Sequence, residues 1–70
     1  MRLWEYSGKH VKILTDDGQI FEGIARDYTS ELDNPGGVAC ISIGNIEFEE
    51  TEIINIEVVQ TNITAMASAI

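Results

Sequence analysis

Two side chains in this sequence belong to the types that most often act as base, nucleophile or soft metal ligand, the single histidine, His10, and the single cysteine, Cys40. A general base needs an acid to orient its ring and a nucleophile within hydrogen-bond reach. The residues around His10 offer neither, so it reads as a surface histidine beside Lys9 and Lys12. Cys40 lies in the apolar run Val-Ala-Cys-Ile-Ser-Ile with no neighbouring cation to stabilise a thiolate, and reads as an inert buried thiol. A lone thiol cannot close an internal disulfide and suits a reducing compartment, so the cytoplasm is the expected location.

Glu47, Glu49, Glu50 and Glu52, together with Asp33 and Asn34, supply the oxygen ligands that hard cations prefer. Their spacing is unlike a calcium loop, so they read as a solvated acidic face, and no metal or cofactor is expected. Lys9, Lys12 and Arg26 with Tyr28 are the only basic and aromatic group within the strand-like segments, and read as ordinary surface charge. No glycine-rich phosphate loop, metal-ligand quartet or nucleophile–base pair appears, which argues against an enzyme.

Charge narrows the partners. Four Lys and Arg residues against twelve Asp and Glu give a net charge of −8 and a pI near 4.2. Such a surface opposes nucleic-acid backbones and anionic membranes. All four basic residues lie in residues 1–35, and residues 36–70 carry five acids without a Lys or Arg. No apolar run reaches the ~20 residues of a membrane span. The N-terminal Met1-Arg2-Leu3-Trp4-Glu5 meets an acid before any apolar run develops, so no export signal is expected.

The elements that must carry these groups are short. Seventy residues are enough for one domain. Strand signals separated by turn formers every 8–12 residues indicate a small all-β barrel or sandwich. The expected strands are residues 9–15, 19–28, 38–43, 46–49 and 53–59, the domain covering residues 1–60. Asp16-Asp17-Gly18 marks a tight hairpin and Gly44-Asn45 a second one. Residues 29–37 hold Pro35, Gly36 and Gly37 and form the longest loop. Residues 2–7 suit one or two helical turns ending at Gly8. In the tail, residues 61–70, Ile63, Met66, Ala67 and Ile70 recur with helical period, which predicts a short C-terminal helix. Gly23, inside the second strand, marks a sharp bend or a close backbone approach.

A leading turn, five short strands and a glycine within the second strand, taken in that order, resemble the Sm-like (Lsm) family of small, strongly bent barrels. Gly23 fits the glycine of the family's first motif, Tyr28 its aromatic residue and Leu32 its penultimate apolar residue. Thr29 stands at the acid position and Asp33 at the asparagine position, with Asn34 adjacent. Ile53 and Ile56 fit the isoleucines of the second motif, which places Glu49 and Glu50 where RNA-binding members carry Arg-Gly. A carboxylate neither stacks on bases nor pairs with phosphate.

The resemblance implies a mainly β, five-stranded antiparallel barrel and a homo-oligomeric ring of five to seven subunits. The ring would be joined through the edges carrying Ile46, Phe48, Ile54 and Ile56. It also implies ligand positions at Tyr28, Thr29, Asp33, Asn34, Glu49 and Glu50. The expected function is therefore a non-enzymatic ring-forming assembly or binding module. The alternative is an RNA-binding member with a modified site, disfavoured by charge; neither DNA nor a membrane is expected as a partner.

Overall fold

The computed structural model describes residues 2–59, and the expected C-terminal helix lies outside the described residues. The chain opens with a 3-10 turn, Leu3–Tyr6. Five strands follow: β1 (His10–Thr15), β2 (Ile20–Thr29), β3 (Cys40–Ile43), β4 (Ile46–Glu49) and β5 (Ile53–Val58). A second 3-10 turn, Glu50–Glu52, joins β4 to β5. All pairings are antiparallel, in the order β4-β3-β2-β1-β5 within one sheet. The ladder does not continue from β4 to β5, so the described sheet is open and these two strands are its ends.

Local chemistry accounts for the boundaries. Gly8, at φ +82°, ends the first turn, and its N–H donates to the Ala25 carbonyl at 2.7 Å. That bond docks the turn onto β2 and buries Leu3. Gly18, at φ +84°, closes the β1–β2 hairpin by donating to the Thr15 carbonyl at 3.0 Å. The Thr15 hydroxyl donates to the Asp17 carboxylate, and Gln19 Nε2 donates to its other oxygen at 3.0 Å. The Thr15 bond is the main reason the Asp17 carboxyl lies below the usual carboxylate range, opposed by desolvation and helped by backbone N–H donors. β3 begins at Cys40 rather than at residue 38 because the Val38 carbonyl accepts from Asn34 Nδ2 at 2.7 Å. That carbonyl serves the loop rather than a strand ladder.

Burial alternates strictly along β1, where Val11, Ile13 and Thr15 face inward and His10, Lys12 and Leu14 outward. Ala25, Ala39, Ile41, Phe48, Ile53 and Ile56 join Val11 and Ile13 in the core, under Leu3. In β5 the register slips by one residue, since Leu14 pairs with Asn55 but Thr15 with Ile53. The extra residue, Ile54, forms a bulge, and bulges reset which side chains point inward. Ile53 and Ile56 are therefore both buried although three positions apart, and Ile54 and Val58 are exposed. Simple alternation would have put Ile54 and Ile56 on one face.

β2 is ten residues long and serves two partners, β1 through residues 20–24 and β3 through residues 25–29. Gly23 sits just before the change of partner. A Cβ built there would lie 2.6 Å from Cγ2 of Ile43, a branch methyl on a side chain with little χ1 freedom. Bending brings β4 over the start of β2, where the Phe21 and Phe48 rings meet edge to face with centroids 5.0 Å apart. Gly23→Ala should therefore cost about 1–3 kcal/mol of overpacking, lowering the melting temperature by several degrees or more. Ile43→Ala should recover part of that loss in the double variant, a coupling that thermal melts of the four proteins will measure. Additive effects would place the close contact elsewhere.

Candidate functional site

The long loop after β2 is shaped by its own polar groups. The Ser30 carbonyl accepts from the N–H groups of Asp33 and Asn34, each at 3.1 Å, and the Ser30 hydroxyl donates to Asp33 Oδ2 at 3.1 Å. Asn34 Nδ2 donates to the Val38 carbonyl at 2.7 Å and to the Cys40 sulfur at 2.9 Å. Its Oδ1 accepts from the Gly36 N–H at 3.2 Å. Asp33 and Asn34, two of the positions the family resemblance singled out, are thus engaged in holding the loop together.

A backbone irregularity aims Tyr28. Arg26 pairs with Ser42 and Thr29 with Cys40, so β2 carries one residue more than β3 across this span. Asp27 takes up the excess at φ +56°, the only positive φ outside glycine among the described residues. Asp tolerates the left-handed region better than most residues, although glycine alone occupies it without penalty. The consequence is that Tyr28, three positions after the buried Ala25, also turns toward the core side and packs against it.

Tyr28 lines a small cleft of about 150 Å³ with Trp4, Ser30, Glu31, Leu32, Ala39 and Glu50. The first turn supplies Trp4, the bulged end of β2 supplies Tyr28, the loop supplies Ser30 to Leu32, and the second 3-10 turn supplies Glu50. Glu50 is positioned by its backbone N–H, which donates to the Ala39 carbonyl at 2.8 Å. Of the six ligand positions drawn from the resemblance, the structure brings Tyr28 and Glu50 into this cleft. Thr29 is held in the β2–β3 ladder, Asp33 and Asn34 in the loop, and Glu49 stands exposed at the end of β4. Trp4 reads in the sequence first as a lid on a small barrel and only second as a partner contact, and Glu31 carries no signal there as a site residue. Leu32, which the resemblance places at the penultimate apolar position of the first motif, is 91% exposed.

The other sequence candidates find plain roles. His10 Nε2 lies 2.9 Å from Glu22 Oε2 on the outer face of the sheet, so an acid does orient the ring. It was hidden in the sequence because the two residues meet diagonally across the β1–β2 ladder, where Lys12 pairs with Glu22 and His10 with Ile24. Among the described residues no hydroxyl or thiol is hydrogen-bonded to the pair. A second concavity beside the first hairpin carries the carboxylates of Asp16, Asp17, Glu47 and Glu52. Among the described residues no three His, Cys, Asp or Glu side chains converge to hold a metal ion. No described helix is long and apolar enough to cross a membrane.

Cys40 is buried. Desolvation pushes its thiol above the ordinary range, the negative charges of Glu47 and Glu49 add to the rise, and the Asn34 hydrogen bond partly offsets it. Comparison with protein-family models, with curated proteins and with solved structures gives no match to this chain.

Three experiments follow from this geometry. Asp27→Gly should keep or raise the melting temperature, whereas Asp27→Val should lower stability by about 1–2 kcal/mol, because only the former relieves the left-handed backbone. The Cys40 thiol should react with iodoacetamide at pH 8 on the order of tenfold or more slowly in the folded chain than in the unfolded one. Its raised folded value also fixes a sign. The stability gained from keeping the thiol neutral is present below the ordinary value of 9.0 and is lost as pH rises through the folded value. Cys40→Ser should remove that alkaline loss, as urea titrations between pH 8 and 11 would show.

Proposed function

We propose that this chain is a non-enzymatic binding module of the Sm-like kind, a strongly bent five-stranded barrel whose copies join edge to edge into a ring. One observation carries the reading: the strand order leaves β4 and β5 as the two ends of the sheet, each paired on one side only among the described residues. Sheet ends with apolar side chains recruit further strands. Ile46 on β4 is 45% exposed and Ile54 on β5 is 60% exposed. A β4-to-β5 contact is heterologous, and such contacts give a closed ring when the rotation between copies allows it. The bend of β2 at Gly23 and the ordered set of five strands support the same reading.

Burial divides the four interface residues expected from the sequence. Phe48 and Ile56 are only 2% and 8% exposed and belong to each copy's own core, so at those positions only the backbone is available to a neighbour. Ile46 and Ile54 remain as side chains that a neighbouring copy would cover. The RNA-binding alternative draws on Tyr28, which lines the cleft, but the carboxylates of Glu31 and Glu50 line it too and oppose phosphate.

Light scattering on the purified chain at micromolar concentration should give a homo-oligomer of five to seven subunits. Ile54→Lys should dissociate it while leaving circular dichroism unchanged, because the substituted side chain is exposed in the single copy. Phe48→Lys and Ile56→Lys should instead unfold the chain, by several kcal/mol. A monodisperse parent monomer would end the ring reading.

A further inference from the structure

The chain has five aromatic residues. Phe21 and Phe48 pair with each other inside, and Tyr6 and Tyr28 pack against the core. Trp4 is 55% exposed, beside the still more exposed Leu32, and both line the cleft with Tyr28. Apolar surface kept in water next to a concavity is characteristic of a contact site. The electrical character of the cleft defines what it would accept. Ring faces carry negative quadrupole density and attract cations. Glu31 and Glu50 add carboxylates to the same lining, and no Lys, Arg or His stands among the described residues that form it. The volume of about 150 Å³ matches one long side chain rather than a compact small-molecule ligand.

We propose that this cleft receives an arginine side chain from a basic segment of a partner protein. A guanidinium satisfies both halves of the lining at once. Its flat face stacks on Trp4 or Tyr28, and its N–H fork donates to carboxylates such as Glu31 and Glu50. An ammonium would keep the charge but lose the stacking and the fork. The net charge of −8 draws a basic segment toward the whole molecule, as it repels a nucleic acid. The inference rests on reading the chain as a binding module, but not on its assembling into a ring.

The chain's single tryptophan, Trp4, reports on the cleft directly. Its fluorescence should change saturably on titration with a neutral-capped peptide of alternating arginine and glycine. A matched peptide with citrulline, which keeps the shape and loses the charge, should produce no saturable change, and neither should a U-rich RNA oligomer. Lysine in place of arginine should weaken binding several-fold. Glu31→Gln/Glu50→Gln should weaken the arginine peptide about five- to tenfold, the yield of two partly exposed charge contacts. If the double variant fails to melt like the parent, Glu31→Gln alone, in an exposed loop, keeps the comparison valid with an expected loss of about threefold. Equal binding of the citrulline peptide, unchanged binding by a folded Gln variant, or tighter binding of RNA than of the arginine peptide would overturn the proposal. Light scattering on the same samples separates the two readings. A monomer that binds arginine removes only the ring, and a ring that ignores it removes only this inference.

Discussion

The close approach of the Gly23 backbone to the Ile43 side chain is the constraint on which the rest of the structure depends. Without a side chain at residue 23, β2 can bend where it leaves β1 and takes up β3, and Ile43 fills the space a Cβ would need. One ten-residue strand then serves both halves of the sheet. The bend brings β4 back over the hairpin end, where Phe48 meets Phe21 and closes the core. β4 and β5 are the two ends of the strand order. The glycine is costly to strand stability by itself, by roughly 0.5–1 kcal/mol relative to alanine, and the buried aromatic and aliphatic contacts that the bend permits offset it.

Two further irregularities turn a bent sheet into a surface with distinct regions. The extra residue at Ile54 pushes an apolar side chain outward on one sheet end while keeping Ile53 and Ile56 in the core. The left-handed Asp27 rotates Tyr28 to the core side, next to the Trp4 of the first turn. Apolar surface is thereby exposed at the sheet ends and at the cleft. Carboxylates stand at both regions, Glu47 and Glu57 on the end strands and Glu31 and Glu50 in the cleft.

Much of the fold was legible because it is governed by local rules. Gly8, Gly18 and Gly44 all lie at positive φ where the sequence placed turns, and the alternation of Val11 and Ile13 with His10, Lys12 and Leu14 is the burial pattern of β1. The close approach at Gly23 was readable as well, because a glycine within an otherwise regular strand has few other uses. What escaped was set by register and by tertiary contact. A one-residue slip opposite Leu14 and Thr15 cannot be read from β5 alone, so the sequence pattern groups Ile56 with Ile54 at the expected subunit interface, whereas the structure buries Ile56. The pairing of His10 with Glu22 depends on which residues face each other across the hairpin. The cleft draws on four separate segments, and nothing near Trp4 in the sequence announces that Glu31 and Glu50 will join it. Asn34 is a ligand position only through the family resemblance, and in the structure its amide ties Val38, Gly36 and Cys40 into one loop.

The proposed ring requires that neighbouring copies complete the two sheet ends. Amide hydrogen exchange followed by mass spectrometry or NMR across a range of protein concentrations measures this strand by strand. The amides of β4 and β5 that do not bond to β3 or β1 should gain protection together as concentration rises, while the β1–β2 hairpin stays unchanged. Rapid exchange of those amides at every concentration, with β4 and β5 behaving as solvated edges, would contradict it.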